Sequence, residues 1–172
     1  MELIQTDFAG LLLIRPVVYK DNRGLFYEDW QQRRYEEAGI CTPFVQDDVS
    51  ISSKGVLRGL HGQKGQSKLI QIIKGTVLDA LVDLRPQSKT FLKYFSIILS
   101  EDRPAQLFAP DGFVHGFYVM SDQAIMHYKC SSYHDKNLEY AYRYNDPTFH
   151  IDWPNDTFIL SERDQRHPFY QQ

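Results

Sequence analysis

The stretch PDGFVHGF, residues 110–117, decides the fold. Its Pro-Asp-Gly start signals a turn, because proline fixes φ and Gly112 readily adopts a positive φ. The apolar run Phe113–Met120 that follows reads as a buried strand, and it carries one imidazole, that of His115. A histidine at this distance from a Pro-x-Gly turn is typical of a strand in a jelly-roll barrel.

Short apolar runs lie on both sides of this stretch, at the spacing of about 8–12 residues that a sandwich or barrel requires. Gly, Pro, Asp or Ser separates most of them, and Lys74-Gly75 reads as a tight turn between two of them. These runs are Leu11–Ile14, Leu69–Ile73, Val77–Val82, Tyr94–Leu99, Gln106–Ala109 and Ala124–Tyr128. The pattern predicts an all-β chain folded as a double-stranded β-helix, the cupin jelly roll.

Two short helices are predicted outside the strands, one in the N-terminal and one in the C-terminal part. The first covers residues 28–38 and is closed by Gly39 as a C-cap. The second starts near Ser161–Asp164. The sequence shows no linker, repeat or low-complexity segment, so we expect one domain over residues 1–172.

The composition excludes several classes of protein. Hydrophobic residues make up 42% and charged residues 24% of the 172, as in ordinary globular domains, and the aromatic content of 14% favours strands. A net charge of -3 gives no basic surface to attract nucleic acid or an anionic membrane. The N-terminal residues lack a basic, then apolar, export signal, so we expect a cytoplasmic protein in which Cys41 and Cys130 are reduced.

The stretch GVLRGLH, residues 55–61, places Arg58 and His61 three positions apart. In a regular strand these two side chains face opposite sides, but a bend at Gly59 would turn both toward one cavity. A single histidine is more often structural than catalytic. The stretch alone therefore leaves both interpretations open.

A metal site at these histidines is disfavoured by the missing ligands. Metal-binding cupins carry His-x-His followed by a glutamate, whereas this chain has His61-Gly62-Gln63 followed by lysine. His115 would supply a second imidazole, but a site needs three or more nitrogen or oxygen ligands. Two cavity histidines without a metal suit acid–base chemistry better.

Three further segments have ordinary interpretations when read alone. In IMHYK, residues 125–129, alternation puts Tyr128 on the face opposite His127 and Lys129, as a packing residue or as a proton donor. DNRGLFYE, residues 21–28, reads as a polar turn that opens a strand. The DWP and LSERD segments, residues 152–154 and 160–164, read as a surface loop and a helix start.

Taken together, these segments resemble the dTDP-4-dehydrorhamnose 3,5-epimerase family, the cupin-type nucleotide-sugar epimerases. One such motif is weak, but ten in the family's order are highly specific. They are DNRGLFYE (21–28), FVQD (44–47), SSKGVLRGLH (52–61), KL (68–69), VDLR (82–85), PDGFVHGF (110–117), YK (128–129), NDP (145–147), DWP (152–154) and LSxxD (160–164).

The resemblance implies an isomerase of deoxysugar biosynthesis that epimerises a nucleoside-diphosphate 4-keto-6-deoxy sugar. The C4 ketone acidifies the protons at C3 and C5, a base removes one of them, and the enolate is reprotonated from the opposite face. The ketone itself is the electron sink, so no cofactor or metal is implied. The family also implies a homodimer in which N-terminal strands cross to the partner's sheet.

The resemblance assigns four catalytic residues. His61 matches the general base, Asp164 the carboxylate that pairs with it, Tyr128 the proton donor and Lys68 the cation beside the enolate oxygen. Arg23 and Glu28 would reach the partner subunit's site. All residues implied to contact the substrate are Arg23, Glu28, Gln46, Asp47, Asp48, Arg58, His115, Tyr133, His134 and Arg163.

Some positions depart from the family's pattern. The segment GQKGQS, residues 62–67, is shorter than in the rhamnose-pathway members and resembles relatives that act on GDP-heptoses. The tyrosine that stacks on thymine falls at His134, with Tyr133 adjacent, and Asp48 and Arg163 replace an asparagine and a lysine. The nucleotide, whether dTDP, GDP or CDP, and the sugar therefore stay open.

Other functions stay open beside the 3,5-epimerase. An epimerase of C3 or C5 alone would need the same base and acid. A sugar-binding cupin without activity would have lost some of His61, Lys68, Tyr128 and Asp164, yet all four are present. The partners we expect are a sugar nucleotide and a second copy of the chain, and we expect neither nucleic acid nor membrane.

Overall fold

Nearly every apolar run becomes a strand in the computed structural model, which describes residues 1–155 and 157–171. The strands are β1 (Glu2–Gln5), β2 (Leu12–Arg15), β3 (Val18–Asp21), β4 (Gly24–Tyr27), β5 (Gln46–Ser53), β6 (Leu57–Gln63), β7 (Lys68–Lys74), β8 (Thr76–Asp83), β9 (Tyr94–Ser100), β10 (Gln106–Ala109), β11 (Phe113–Val119), β12 (Gln123–Cys130) and β13 (Glu139–Ala141). The helices are α1 (Gln32–Glu37) and α2 (Glu162–Arg166).

The strands form two antiparallel sheets and a separate hairpin. One sheet has the order β1-β2-β10-β7-β12-β5, the other has the order β13-β6-β11-β8-β9, and β3 pairs only with β4. Buried side chains such as Ile70, Leu81, Leu107, Phe117 and Met126 form the main hydrophobic cluster. The predicted all-β double-stranded β-helix is confirmed.

The two predicted turns lie where the sequence places them. Residues 110–112 connect β10 to β11, and Gly112 has a φ of 92°. Gly75 has a φ of 81° between β7 and β8. All seven residues of β11 are buried, because this strand pairs with β6 on one side and with β8 on the other. The stretch that decides the fold is thus a central strand.

The first helix is shorter than predicted and starts at Gln32 rather than at residue 28. Gln31 is extended and its side chain accepts the backbone N–H of Arg34, so the helix begins only after it. Trp30 packs against Tyr35, which holds the preceding residues outside the helix. Gly39 follows its end with a φ of 90°, as predicted.

The second predicted helix is confirmed as α2, with Ser161 as its N-cap. Neither helix of the described residues approaches the length needed to cross a membrane. Cys41 is exposed and Cys130 is buried, and both are free thiols.

Strand β6 bends at Gly59, as predicted, where it approaches β11 very closely. Gly59 has a φ of 131°, and the pairing of β6 with β11 shifts register between His115 and Phe117. A Cβ atom added at Gly59 would lie 2.5 Å from the Cα atom of Gly116. Only glycine fits this crossing, and the bend that it permits directs the side chains that follow.

We expect Gly59→Ala to lower the free energy of unfolding by about 3 kcal/mol, because both the backbone strain and the clash with β11 must be relieved. Urea denaturation of the two proteins at equal concentration measures the loss.

Gly65→Ala is the matched control. Gly65 also has a positive φ, 77°, but an added Cβ would meet no atom within 4 Å. Its cost should be about 1 kcal/mol, from backbone strain alone. Equal losses in the two variants would contradict the close approach of β6 and β11.

Candidate active site

A cavity of about 290 Å³ opens between the two sheets, next to α2. It brings together seven of the predicted site residues, which come from five secondary-structure elements. The side chains that line it are Ser50, Arg58, His61, Lys68, His115, Phe117, Met126, Tyr128, Ser161, Arg163 and Asp164. An adjoining recess of about 210 Å³ shares His61, Lys68 and Tyr128 with it and extends toward β5 and β13.

His61 on β6 contacts Asp164 on α2, as predicted. The Nε2 atom of His61 lies 2.7 Å from Oδ1 of Asp164, which is only 4% exposed. Burial raises the pKa of Asp164, but the hydrogen bond and charge of His61 outweigh it and hold the pKa below its ordinary value. Asp164 is therefore a carboxylate that accepts the N–H of Nε2, and this tautomer leaves a lone pair on Nδ1 of His61.

A second histidine–aspartate pair lies beside the first, and its aspartate was not predicted. His115 stands directly opposite His61 in the pairing of β11 with β6. Its Nε2 atom lies 2.8 Å from Oδ2 of Asp79 on β8, whose side chain is fully buried. The signal was present in the sequence, since Asp79 is the one charged residue inside the apolar run Val77–Val82.

Tyr128 and Lys68 complete the polar lining of the cavity. Burial, with the nearby Asp48 and Cys130, raises the pKa of Tyr128 to about 12, so its hydroxyl stays protonated at neutral pH. Burial also lowers the pKa of Lys68, whose Nζ atom lies 5.4 Å from the centre of the Tyr128 ring. His127 and Lys129 face the opposite side of the sheet, as the alternation predicted.

Strand β5 divides its three predicted site residues between the two faces of the sheet. Gln46 and Asp48 line the recess, and the amide of Gln46 donates to the Asp48 carboxylate over 2.8 Å. Asp47 points the other way and accepts from Nζ of Lys129 over 2.8 Å. Within its own chain Asp47 therefore faces away from the recess, because successive strand residues alternate, and its contact with the substrate stays a prediction.

In the segment after β12, one of the two predicted residues lines the recess and the other does not. His134 lines the recess, and its backbone N–H donates to the side chain of Gln46 over 3.0 Å. Tyr133 is 72% exposed and lines neither cavity, so the chain does not place it in the site.

Arg163 on α2 lies at the cavity and forms an ion pair with Glu139, a residue that was not predicted.

Arg23 and Glu28 lie outside this cavity. Arg23, at the tip of the β3–β4 hairpin, pairs with Asp21, and Glu28 pairs with Arg34 of α1. Both ion pairs are exposed, and neither side chain lines the cavity of its own chain.

His167 is a third imidazole beside the first pair, and it was also not predicted. Its Nε2 atom lies 3.3 Å from Nε2 of His61 and 3.3 Å from Oδ1 of Asp164. Asp164 lies in the middle of α2 and His167 follows the last residue of this helix, three positions after Asp164, which places the two on one face.

The cavity carries the groups of general acid–base chemistry. His61 offers an imidazole lone pair whose tautomer Asp164 holds in place, Tyr128 offers a phenol proton, and Lys68 offers an N–H donor for a developing negative charge. Such a set can remove a proton from a substrate and return one from a different group.

Known proteins resemble this chain along nearly its whole length. The family model described as dTDP-4-dehydrorhamnose 3,5-epimerase matches residues 5–172. The protein of that name from Escherichia coli strain K12 is 43% identical over 171 residues, which cover 96% of this chain and 92% of the relative.

Solved structures give the same picture. The dTDP-6-deoxy-D-glucose-3,5-epimerase from Legionella pneumophila, in complex with dTDP-4-keto-L-rhamnose, has a TM-score of 0.92 at 42% identity and covers 99% of both chains. A 3'-monoepimerase from Streptomyces bikiniensis, in complex with dTDP-quinovose, has a TM-score of 0.89 at 30% identity, with 95% of this chain and 85% of that chain covered.

Proposed function

This chain belongs to the dTDP-4-dehydrorhamnose 3,5-epimerase family, and from this premise we propose that it epimerises a dTDP-linked 4-keto-6-deoxy sugar at C3 and C5. The activity is that of an isomerase. The observation that carries the proposal is the single cavity that holds the His61–Asp164 pair, Tyr128 and Lys68.

The first step is removal of a proton from the carbon beside the ketone. The Nδ1 lone pair of His61 accepts this proton, and the Asp164 carboxylate stabilises the imidazolium that forms. The electrons of the C–H bond move into the C4 carbonyl, and Lys68 stabilises the negative charge on its oxygen. The ketone lowers the cost of the carbanion, because its oxygen takes up the negative charge.

The second step returns a proton from the opposite face. Tyr128 is the donor, since its hydroxyl is protonated at neutral pH and borders the same cavity. Transfer to the enolate carbon restores the ketone and inverts the centre. His115 and Arg58 contact the sugar or the diphosphate, while Gln46, Asp48, His134 and Arg163 border the space for the nucleotide.

A mono-epimerase is the second candidate, because a 3'-monoepimerase shares this fold at 30% identity. The same base and acid serve one carbon or two, so the cavity walls decide between these outcomes. The short segment 62–67 and His134 favour a GDP sugar, such as a GDP-heptose, as the alternative substrate.

We also propose that the chain is a cytoplasmic homodimer of one domain, residues 1–172, whose N-terminal strands cross to the partner. The β3–β4 hairpin supports this proposal, because it exposes apolar side chains without covering its own cavity. Tyr19 is 64% and Phe26 is 68% exposed. In such a dimer Arg23 and Glu28 would complete the partner subunit's site.

Proton NMR in D₂O tests the proposed reaction. We expect the protein to exchange deuterium into both C3 and C5 of dTDP-4-keto-6-deoxyglucose, because both carbons neighbour the ketone. GDP-4-keto-6-deoxymannose is run in parallel. Exchange at one carbon would establish a mono-epimerase. Exchange only in the GDP sugar would show that the substrate carries GDP rather than dTDP. Exchange in neither sugar would contradict the proposal.

Tyr128→Phe separates the two proton transfers. Proton removal by His61 should survive, whereas delivery from the opposite face should fall by about 10²–10⁴-fold. Deuterium should therefore still enter the sugar while net epimerisation is lost. If the variant exchanged as slowly as the control His61→Ala, the role given to Tyr128 would be wrong.

Mixed dimers test the crossing of the hairpin. Arg23→Ala and His61→Ala should each have little activity alone. After unfolding and refolding together, about a quarter of all sites should combine an intact hairpin with an intact cavity and regain activity. The control mixture of His61→Ala with Asp164→Ala should regain none, since both residues belong to one cavity. If the first mixture were no more active than the second, the hairpin would not cross to the partner subunit's site.

A further inference from the structure

Three ligand atoms of different residues converge behind the cavity. They are Nε2 of His61, Oδ1 of Asp164 and Nε2 of His167, and the distances between them are 2.7, 3.3 and 3.3 Å. A four-coordinate metal with bonds of about 2.0–2.1 Å separates its ligand atoms by about 3.3 Å. Two of the three distances already have this value.

We propose that His61, Asp164 and His167 form a binding site for a zinc-class divalent metal ion, and that the bound ion switches the enzyme off. The inhibitory part of this proposal rests on the proposed function, whereas the binding site itself does not.

The scaffold holds the three side chains in place without the ion. His61 lies on β6 between β11 and β13. Asp164 and His167 lie on or next to α2, where Ser161 accepts the backbone N–H of Asp164 over 3.0 Å. The guanidinium of Arg143 donates to the backbone oxygen of His167 over 3.1 Å and fixes the other end of the helix. Little reorganisation is therefore needed to bind an ion.

The donor set selects the class of metal. Two imidazole nitrogens and one carboxylate oxygen suit Zn²⁺, Co²⁺ and Ni²⁺, whereas Mg²⁺ and Ca²⁺ prefer oxygen ligands alone. The side chains of Asp164 and His167 are 6% and 10% exposed, which shields the site from bulk water. His61 borders the inner cavity and His167 borders an outer groove beside Arg166, so an ion has an approach from either side.

A bound metal would inhibit the enzyme because it changes which ring nitrogen of His61 carries the proton. In the metal-free chain the Nε2–H of His61 faces Asp164, and Nδ1 keeps the lone pair that accepts a proton from the sugar. A metal takes the lone pair of Nε2, so the neutral ring must carry its proton on Nδ1. His61 then has no lone pair for the substrate, although the ring has hardly moved.

The binding experiment uses the full chain, freed of metal with a chelator, and measures Zn²⁺ uptake by equilibrium dialysis. We expect one Zn²⁺ per chain, with affinity reduced on the order of 100-fold or more in His167→Gln. His150→Asn is the matched control. His150 is an exposed imidazole at a positive φ that asparagine tolerates, and its loss should change nothing. Equal affinity in wild type and His167→Gln would overturn the site.

Two further measurements on the same samples distinguish Zn²⁺ at the proposed site from adventitious Zn²⁺. They also distinguish failure of the metal site from failure of the proposed function. Nitrogen NMR of the wild-type histidines should show Zn²⁺ shifting the Nε2 signals of His61 and His167. Unchanged signals would refute the site even if a variant misfolds. In the D₂O assay, Zn²⁺ should stop exchange by wild type and by His150→Asn but not by His167→Gln, and EDTA should restore it. Inhibition of all three alike would refute the switch. If no sugar is turned over, dialysis and NMR still decide on the site.

Discussion

The close approach of β6 and β11 is the constraint on which the cavity depends. At Gly59 the two backbones nearly touch, and an alanine methyl there would lie 2.5 Å from Gly116. The bend places Arg58 and His61, which a regular strand would send to opposite faces, on one cavity. The register shift at the same point sets His115 opposite His61. One crossing of two glycines therefore fixes three of the polar side chains that line the cavity.

The orientation of His61 also depends on a residue near the C-terminal end of the chain. Asp164 reaches His61 across 103 residues of sequence, on a helix of only one and a half turns that has little stability of its own. Neighbouring contacts hold this helix against the barrel. Leu57 and Ile159 share a backbone hydrogen bond, and Arg143 donates to the backbone oxygen of Gln165. The orientation of His61 thus depends on the packing of the C-terminal segment against the barrel.

The sequence predicted the barrel well, because the barrel follows from local patterns. Turn signals and apolar runs located the strands, and motif order located His61, Lys68, Tyr128 and Asp164 in one cavity. Motif order did not give the strand geometry or the helix capping. Asp47 lies between Gln46 and Asp48, so alternation turns it toward Lys129 and away from the recess. The start of α1 was missed because Gln31, a long side chain, caps it in place of a typical capping residue.

Motif reasoning did not give the pairs that only the tertiary fold brings together, although Asp79 stands out in the sequence as a charge within an apolar run. Asp79 pairs with His115 across neighbouring strands, and His167 joins the His61–Asp164 pair through a helix end. The proposed metal switch rests on the second case. The carboxylate that fixes the His61 tautomer lies close to Nε2, and a second imidazole nitrogen beside the same oxygen makes a set of three metal ligands. Under the proposed function, the geometry that prepares His61 to remove a proton is therefore also the geometry that would hold a metal, and only the lone pair left on Nδ1 distinguishes the two states.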